Sequence, residues 1–183
     1  MRTRVSALGI LTTIAISFAL VRDPKAQAGS ALVEQRSRPS QSLAIVVNRS
    51  NPIDSLSFVE LRKIFLGERN HWQNGHRIAI AMLDYGQPER RTVLHLIYHM
   101  DEKGYEDFLL RGMFRGDVFV APKTLASPVV VRKFVFNAPG AIGYLRASDV
   151  DDSIKVIRID GLLPEAKDYR LQIDEPSSSR GND

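Results

Sequence analysis

Ile78–Met100, IAIAMLDYGQPERRTVLHLIYHM, decides how the chain folds. Ile78 to Leu83 is a continuous apolar run of strand length, with the composition of a strand buried on both faces. Asp84 to Gln87 is polar and contains Gly86, so the chain turns there. Pro88 suits the first position of a helix, where its missing N–H would have had no partner anyway. Val93, Leu94, Ile97 and Met100 then recur at helical spacing and mark a core-facing stripe. A strand that turns through glycine into a helix leaves backbone N–H groups exposed at the helix start, where the dipole also favours negative charge. Arg90 and Arg91 sit in that first turn, a place where acids are preferred. Two readings fit: the loop cradles a small anion, or it is an ordinary strand–helix turn with solvated arginines.

The chain on either side repeats the alternation. Leu43–Val47 (LAIVV) is a short β-branched run, and Asn48–Ser55 is turn chemistry. Ser57 and Glu60 have capping-box spacing. Phe58, Leu61, Ile64 and Phe65 fall on one face, and Gly67 is placed to end that helix. Glu68–Arg77 is a polar connection holding Trp72, read as a lid on the core. Asp101 caps a helix to about Arg111 with Tyr105, Phe108 and Leu109 inward, and Gly112–Leu125 reads as loop. Ser127-Pro128 opens a helix to about Phe136, while Ala141–Leu145 and Ile154–Ile159 are strands. Strands alternating with helices predict an α/β domain, a mostly parallel sheet flanked by helices. In such sheets ligands gather outside the carboxyl ends of the strands, which is where Asp84–Arg91 lies.

The ends differ in character. Met1–Ala28 has Arg2 and Arg4, then an apolar stretch Val5–Val21, then Ala26-Gln27-Ala28: the three parts of a secretory signal peptide. If the charged patch Arg22–Lys25 prevents cleavage, the same segment is an N-terminal membrane anchor. The expected organisation is signal peptide 1–28, flexible linker 29–42, folded domain 43–173 and disordered tail 174–183, with a periplasmic location. Of the 25 Lys and Arg residues, four (Arg2, Arg4, Arg22, Lys25) lie in Met1–Ala28, against one of the 21 acids (Asp23), so the remainder carries only +1. With no basic run, no nucleic-acid surface is expected. Zero cysteines excludes disulfides, thiolate metal sites and cysteine nucleophiles.

Few other side chains suggest chemistry. His95 and His99 have the i, i+4 spacing of paired metal ligands, but position 96 is Leu and no third ligand is evident. They are read as ordinary histidines, as are His71 and His76. Asp149, Asp151 and Asp152 lack the glycine and terminal Glu of a calcium loop and read as a solvated turn. No G-x-S-x-G elbow is present. The expectation is no enzyme, no metal and no cofactor.

The ordered motifs L-A-I-V-V-N-x-S-N-P (Leu43–Pro52), S-F-V-E-L-R-K-I-F-L-G (Ser57–Gly67), W-Q-N-G (Trp72–Gly75), G-Q-P-E-R-R (Gly86–Arg91) and N-A-P-G-A-I-G-Y (Asn137–Tyr144) resemble the phosphate-binding proteins of bacterial phosphate ABC transporters, above all short exported relatives with little more than one lobe. The resemblance implies a single lobe of a type II periplasmic binding protein-like fold, with inorganic phosphate or another small oxyanion as ligand and an ABC transporter permease or other envelope protein as partner. The family's R-S-D-G-S-G-T loop falls on Leu83–Pro88. Gly86 is retained there, whereas the loop's Arg and its hydroxyls are not, and Pro88 removes an amide donor. The other lobe's phosphate loop finds no counterpart in the linker before Leu43. The residues expected nearest a bound oxyanion are Gly86, Gln87, Arg90 and Arg91, with Asn48 and Ser50 at the end of the first strand as second-rank candidates. The alternative is a ligand-free interaction module on the same fold.

Overall fold

β1 (Leu43–Val47) is fully buried along its whole length and sits inside a five-stranded sheet of order β4-β3-β5-β1-β6. The computed structural model describes residues 41–114 and 121–173. The expected signal segment, nearly all of the linker and the tail lie outside the described residues. β3 (Ala79–Leu83) pairs in parallel with β4 (Lys123–Leu125) and with β5 (Ala141–Arg146). β1 runs the other way, antiparallel to both β5 and β6 (Lys155–Val156). The sheet is therefore mostly parallel, with one reversed strand, β1, next to the β6 edge. A second, two-stranded sheet joins β2 (Ser55–Leu56) to β7 (Arg158–Ile159).

The helices form where local chemistry predicts them. In α1 (Phe58–Phe65) the Ser57 hydroxyl accepts from the Glu60 amide at 3.2 Å, and the Glu60 carboxylate accepts from the Ser57 amide at 2.9 Å. That backbone bond and the Ser57 hydroxyl hold the Glu60 carboxyl below its usual range. Phe58, Leu61, Ile64 and Phe65 are all buried, as their spacing requires. Ser57→Ala is expected to cost about 1 kcal/mol, the usual worth of an N-cap, read as a lower urea midpoint at unchanged slope. α2 (Pro88–Val93) starts at Pro88 after the N-cap Gln87. α3 spans Glu102–Phe114, and the Asp101 carboxylate accepts from the Gly104 amide at 2.7 Å. α4 (Pro128–Asn137) begins at Ser127, whose hydroxyl accepts from the Val130 amide. Trp72 is 2% exposed and donates its indole N–H to the Gly140 carbonyl at 3.0 Å, so it does close the core.

Four local features depart from expectation. β4 lies in a stretch read as loop; Lys123 and Thr124 are exposed, and such polarity suits an edge strand. α3 runs to Phe114, three residues past its expected end. The run Ile154–Ile159 is two strands rather than one. It breaks at Ile157, whose amide donates to the Ile45 carbonyl, and the chain then leaves β1 to pair with β2. After Val93 the helix widens into a π-turn, Leu94–Tyr98, closed by His99 in the left-handed region at φ 57°. The Leu94 carbonyl takes the amides of both His99 and Met100, and Arg62 donates to the Ile97 carbonyl at 2.8 Å. Beyond β7, Tyr169, Leu171 and Ile173 are buried, and the Leu43 amide bonds the Leu171 carbonyl at 2.8 Å.

Candidate functional site

The carboxyl end of β3 turns through Asp84–Gln87 into α2. The Asp84 amide extends the ladder to the Leu125 carbonyl, and the Tyr85 amide bonds the Asp84 carboxylate at 2.8 Å. Gly86 has φ 79° and nothing within 4 Å of where a Cβ would stand, so it faces open space. A side chain there fits sterically but strains the backbone. The amides of Gly86, Gln87, Glu89 and Arg90 have no acceptor among the described residues. Arg91 is exposed beside them and has no ion-pair partner among the described residues.

Arg90 does something else. It is 1% exposed, and its guanidinium turns inward from the loop. Nε bonds Glu102 Oε1 at 2.9 Å and Oε2 at 3.1 Å, Nη2 also bonds Oε1, and Nη1 donates to the Leu83 carbonyl at 3.0 Å. The Tyr85 ring lies 4.4 Å from the guanidinium carbon and the Tyr105 ring 5.3 Å. Burial works against this cation, but Glu102 more than offsets it and raises the guanidinium above its usual pKa. The expectation that Arg90 meets an oxyanion is therefore corrected: its charge already belongs to Glu102.

Asn48 and Ser50 are corrected for a different reason. Because β1 is antiparallel, its carboxyl end lies beside the amino ends of β3 and β5, with Val47 opposite Ile142 and Ala79 opposite Ala141. They therefore sit at the opposite end of the sheet from Gly86. There the Asn48 amide donates to the Val135 and Phe136 carbonyls at 2.8 and 2.6 Å, closing the end of α4. Its oxygen accepts from the Ser50 amide and hydroxyl. Of the six residues expected, the structure gathers Gly86, Gln87 and Arg91 on one open turn.

Several contacts that shape this region carry no sequence signal. Glu89 is buried and paired with Arg146 at the end of β5, Nη2 to Oε1 2.7 Å, so two arginine–carboxylate pairs pin the first turn of α2. The Tyr144 hydroxyl accepts from the Leu83 amide at 3.1 Å, and burial pushes its pKa well up. Tyr105 donates to Met82 Sδ at 3.0 Å and is pushed by burial to about 12. These partners lie far apart in the chain, beyond the reach of any spacing rule.

Between the π-turn and the start of α3 opens a cleft of about 640 Å³. Tyr85, Leu94 and Met100 supply apolar wall, and Arg91, His95 and His99 stand around it. Asp101 and Glu102 also line it. Among the described residues no three His, Asp or Glu side chains converge as a metal site.

No family model matches the chain. Phosphate-binding protein PstS of Bacillus subtilis (strain 168) is 29% identical over 126 residues, which is 68% of this chain and 38% of that protein. The structure overlays an ABC-type phosphate transport receptor from Vibrio cholerae with a TM-score of 0.55 at 23% identity, covering 67% of this chain and 48% of the receptor. A putative phosphate ABC transporter substrate-binding protein with bound phosphate, from Clostridium perfringens, gives 0.54 at 20%, covering 66% and 46%. The chain is phosphate-binding-protein-like. This phosphate-binding-protein-like chain spans under half the length of each of the three. The two structural likenesses establish its fold, the mixed α/β architecture with a mostly parallel sheet. All three are named as binding proteins or transport receptors. Among the described residues no helix is long and apolar enough to cross a membrane.

Proposed function

We propose that this is an exported, non-catalytic solute-binding-like protein whose folded domain takes phosphate or a similar small oxyanion weakly, at the turn Gly86–Arg91. The observation that supports this is the set of amides around Gly86 and Gln87 beside the Arg91 guanidinium, none of which has a partner among the described residues. Export is supported by the Arg2/Arg4, Val5–Val21 and Ala26–Ala28 pattern. A charge-assisted hydrogen bond contributes about 1.5–3 kcal/mol. Two amides with one guanidinium give roughly 5–9 kcal/mol, and association removes about 4 or more. A micromolar complex needs about 8 net, so binding is expected near millimolar or weaker. With Arg90 paired to Glu102, nothing in the turn raises that figure. Calorimetric titration of the chain with phosphate, sulfate and molybdate tests the reading. Arg91→Ala is expected to weaken phosphate about tenfold, matching one lost charged contact. No heat with any of the three anions sinks it.

A second reading is favoured by one observation: Leu110, Met113 and Phe114, on one face at the end of α3, are each more than half exposed. An apolar strip of that kind suits docking to an envelope protein such as an ABC transporter permease. Binding to a solubilised permease in the absence of phosphate separates this reading from the first.

A further inference from the structure

The cleft beside the turn is much larger than a bare oxyanion requires. Its volume of about 640 Å³ falls within the range of roughly 300–1,000 Å³ typical of sites for organic ligands. Its walls are unlike those of a site that wraps an inorganic ion in donors, because Tyr85, Leu94 and Met100 offer apolar surface. The charges around it are also uneven. Glu102 is ion-paired with Arg90, and Asp101 keeps its charge but directs it at the Gly104 amide, 2.7 Å away, where the start of α3 favours an anion. Arg91 remains as a lining cation with no ion-pair partner among the described residues. An apolar wall with a guanidinium at its edge that no described carboxylate pairs complements an anionic head on an apolar body.

We propose that the cleft binds an organic phosphate monoester or phosphonate, its anionic head on Arg91 and its hydrocarbon group against Leu94, Met100 and Tyr85. This rests on the oxyanion reading above and narrows it, from the free ion to an ion carried on an apolar group. Arg91 holds the charge in both cases. The wall residues distinguish the two, because only an organic ligand reaches them.

Titration calorimetry of the chain with three probes tests the inference: inorganic phosphate, phenyl phosphate and benzyl alcohol. Phenyl phosphate is expected to bind at least about tenfold more tightly than phosphate, from the apolar area its ring buries. Met100→Ser is expected to remove most of that advantage while leaving phosphate within about twofold. A circular dichroism spectrum unchanged from the parent shows the variant folded, and Leu94→Met serves as a second, volume-conserving probe of the wall. Equal affinities for phosphate and phenyl phosphate overturn this inference and leave the oxyanion reading standing. Benzyl alcohol binding as tightly as phenyl phosphate overturns it too, since the charge would then contribute nothing. Failure of both phosphate and phenyl phosphate to bind overturns both readings. Phenyl phosphate bound with inorganic phosphate undetected supports the organic ligand and removes the free ion as the natural one.

Discussion

Glu102→Ala is expected to destabilise the fold by about 3 kcal/mol, more than any exposed substitution. Arg90 is 1% exposed, and Glu102 supplies its only carboxylate among the described residues. Removing one partner of a buried pair leaves a desolvated charge and typically costs about 3–5 kcal/mol. The Glu102 side chain is 33% exposed, so water already weakens the pair and the lower end applies. The Leu83 carbonyl and the Tyr85 and Tyr105 rings remain around the guanidinium, but none of them carries a formal negative charge. A double variant, Arg90→Met with Glu102→Leu, is expected to recover more than half of the loss, because an apolar pair of similar volume avoids the stranded ion. Urea unfolding reads both. A loss under about 1 kcal/mol for Glu102→Ala would mean that Arg90 escapes to solvent, and the inward orientation described for it would be wrong.

Gly140→Ala is expected to be at least as damaging, for a steric reason. A Cβ at Gly140 would lie 2.0 Å from the Arg77 carbonyl oxygen and 3.1 Å from its carbon, both backbone atoms that no rotamer change can move. The Gly140 carbonyl also receives the Ala79 amide at 3.1 Å and the Trp72 indole at 3.0 Å, so retreat on that side breaks two bonds. Overpacking a rigid site costs about 1–3 kcal/mol, and a backbone clash this close belongs at the top of that range or beyond it. Gly86→Ala is the matched control. It meets nothing within 4 Å and carries only the strain of φ 79°, about 1–2 kcal/mol. Equal losses for the two variants, by urea unfolding, would refute the clash.

What could be read from the residues alone was the chemistry between near neighbours. Ser57 with Glu60, Pro88 at its helix start, and Ser127 ahead of Pro128 each act within four residues, and each stands where expected. LAIVV is a strand, but nothing in five apolar residues sets its direction. That direction carries Asn48 and Ser50 to the opposite end of the sheet from Gly86. β2 has two residues and β4 three, too few to carry a pattern of their own, so their pairing comes from neighbours. The turn at Gly86 was legible because its glycine, proline and arginines fall within the single run Gly86–Arg91. The occupation of Arg90 was not, since Glu102 lies twelve residues away on another helix. The π-turn at Leu94–Tyr98 left no trace in the spacing of Val93, Leu94, Ile97 and Met100, which is that of an α-helix.

The position of β1 governs when the domain can assemble. Its two neighbours, β5 and β6, are built from residues 141–146 and 155–156, so a chain emerging from its N-terminus has no strand for Leu43–Val47 to pair with until nearly the whole domain has been made. Closing a loop of about a hundred residues before any pairing compensates for it makes such topologies slow to fold. Under the export proposed above, a delay of this kind would keep the polypeptide pliable until it had passed through a translocation channel.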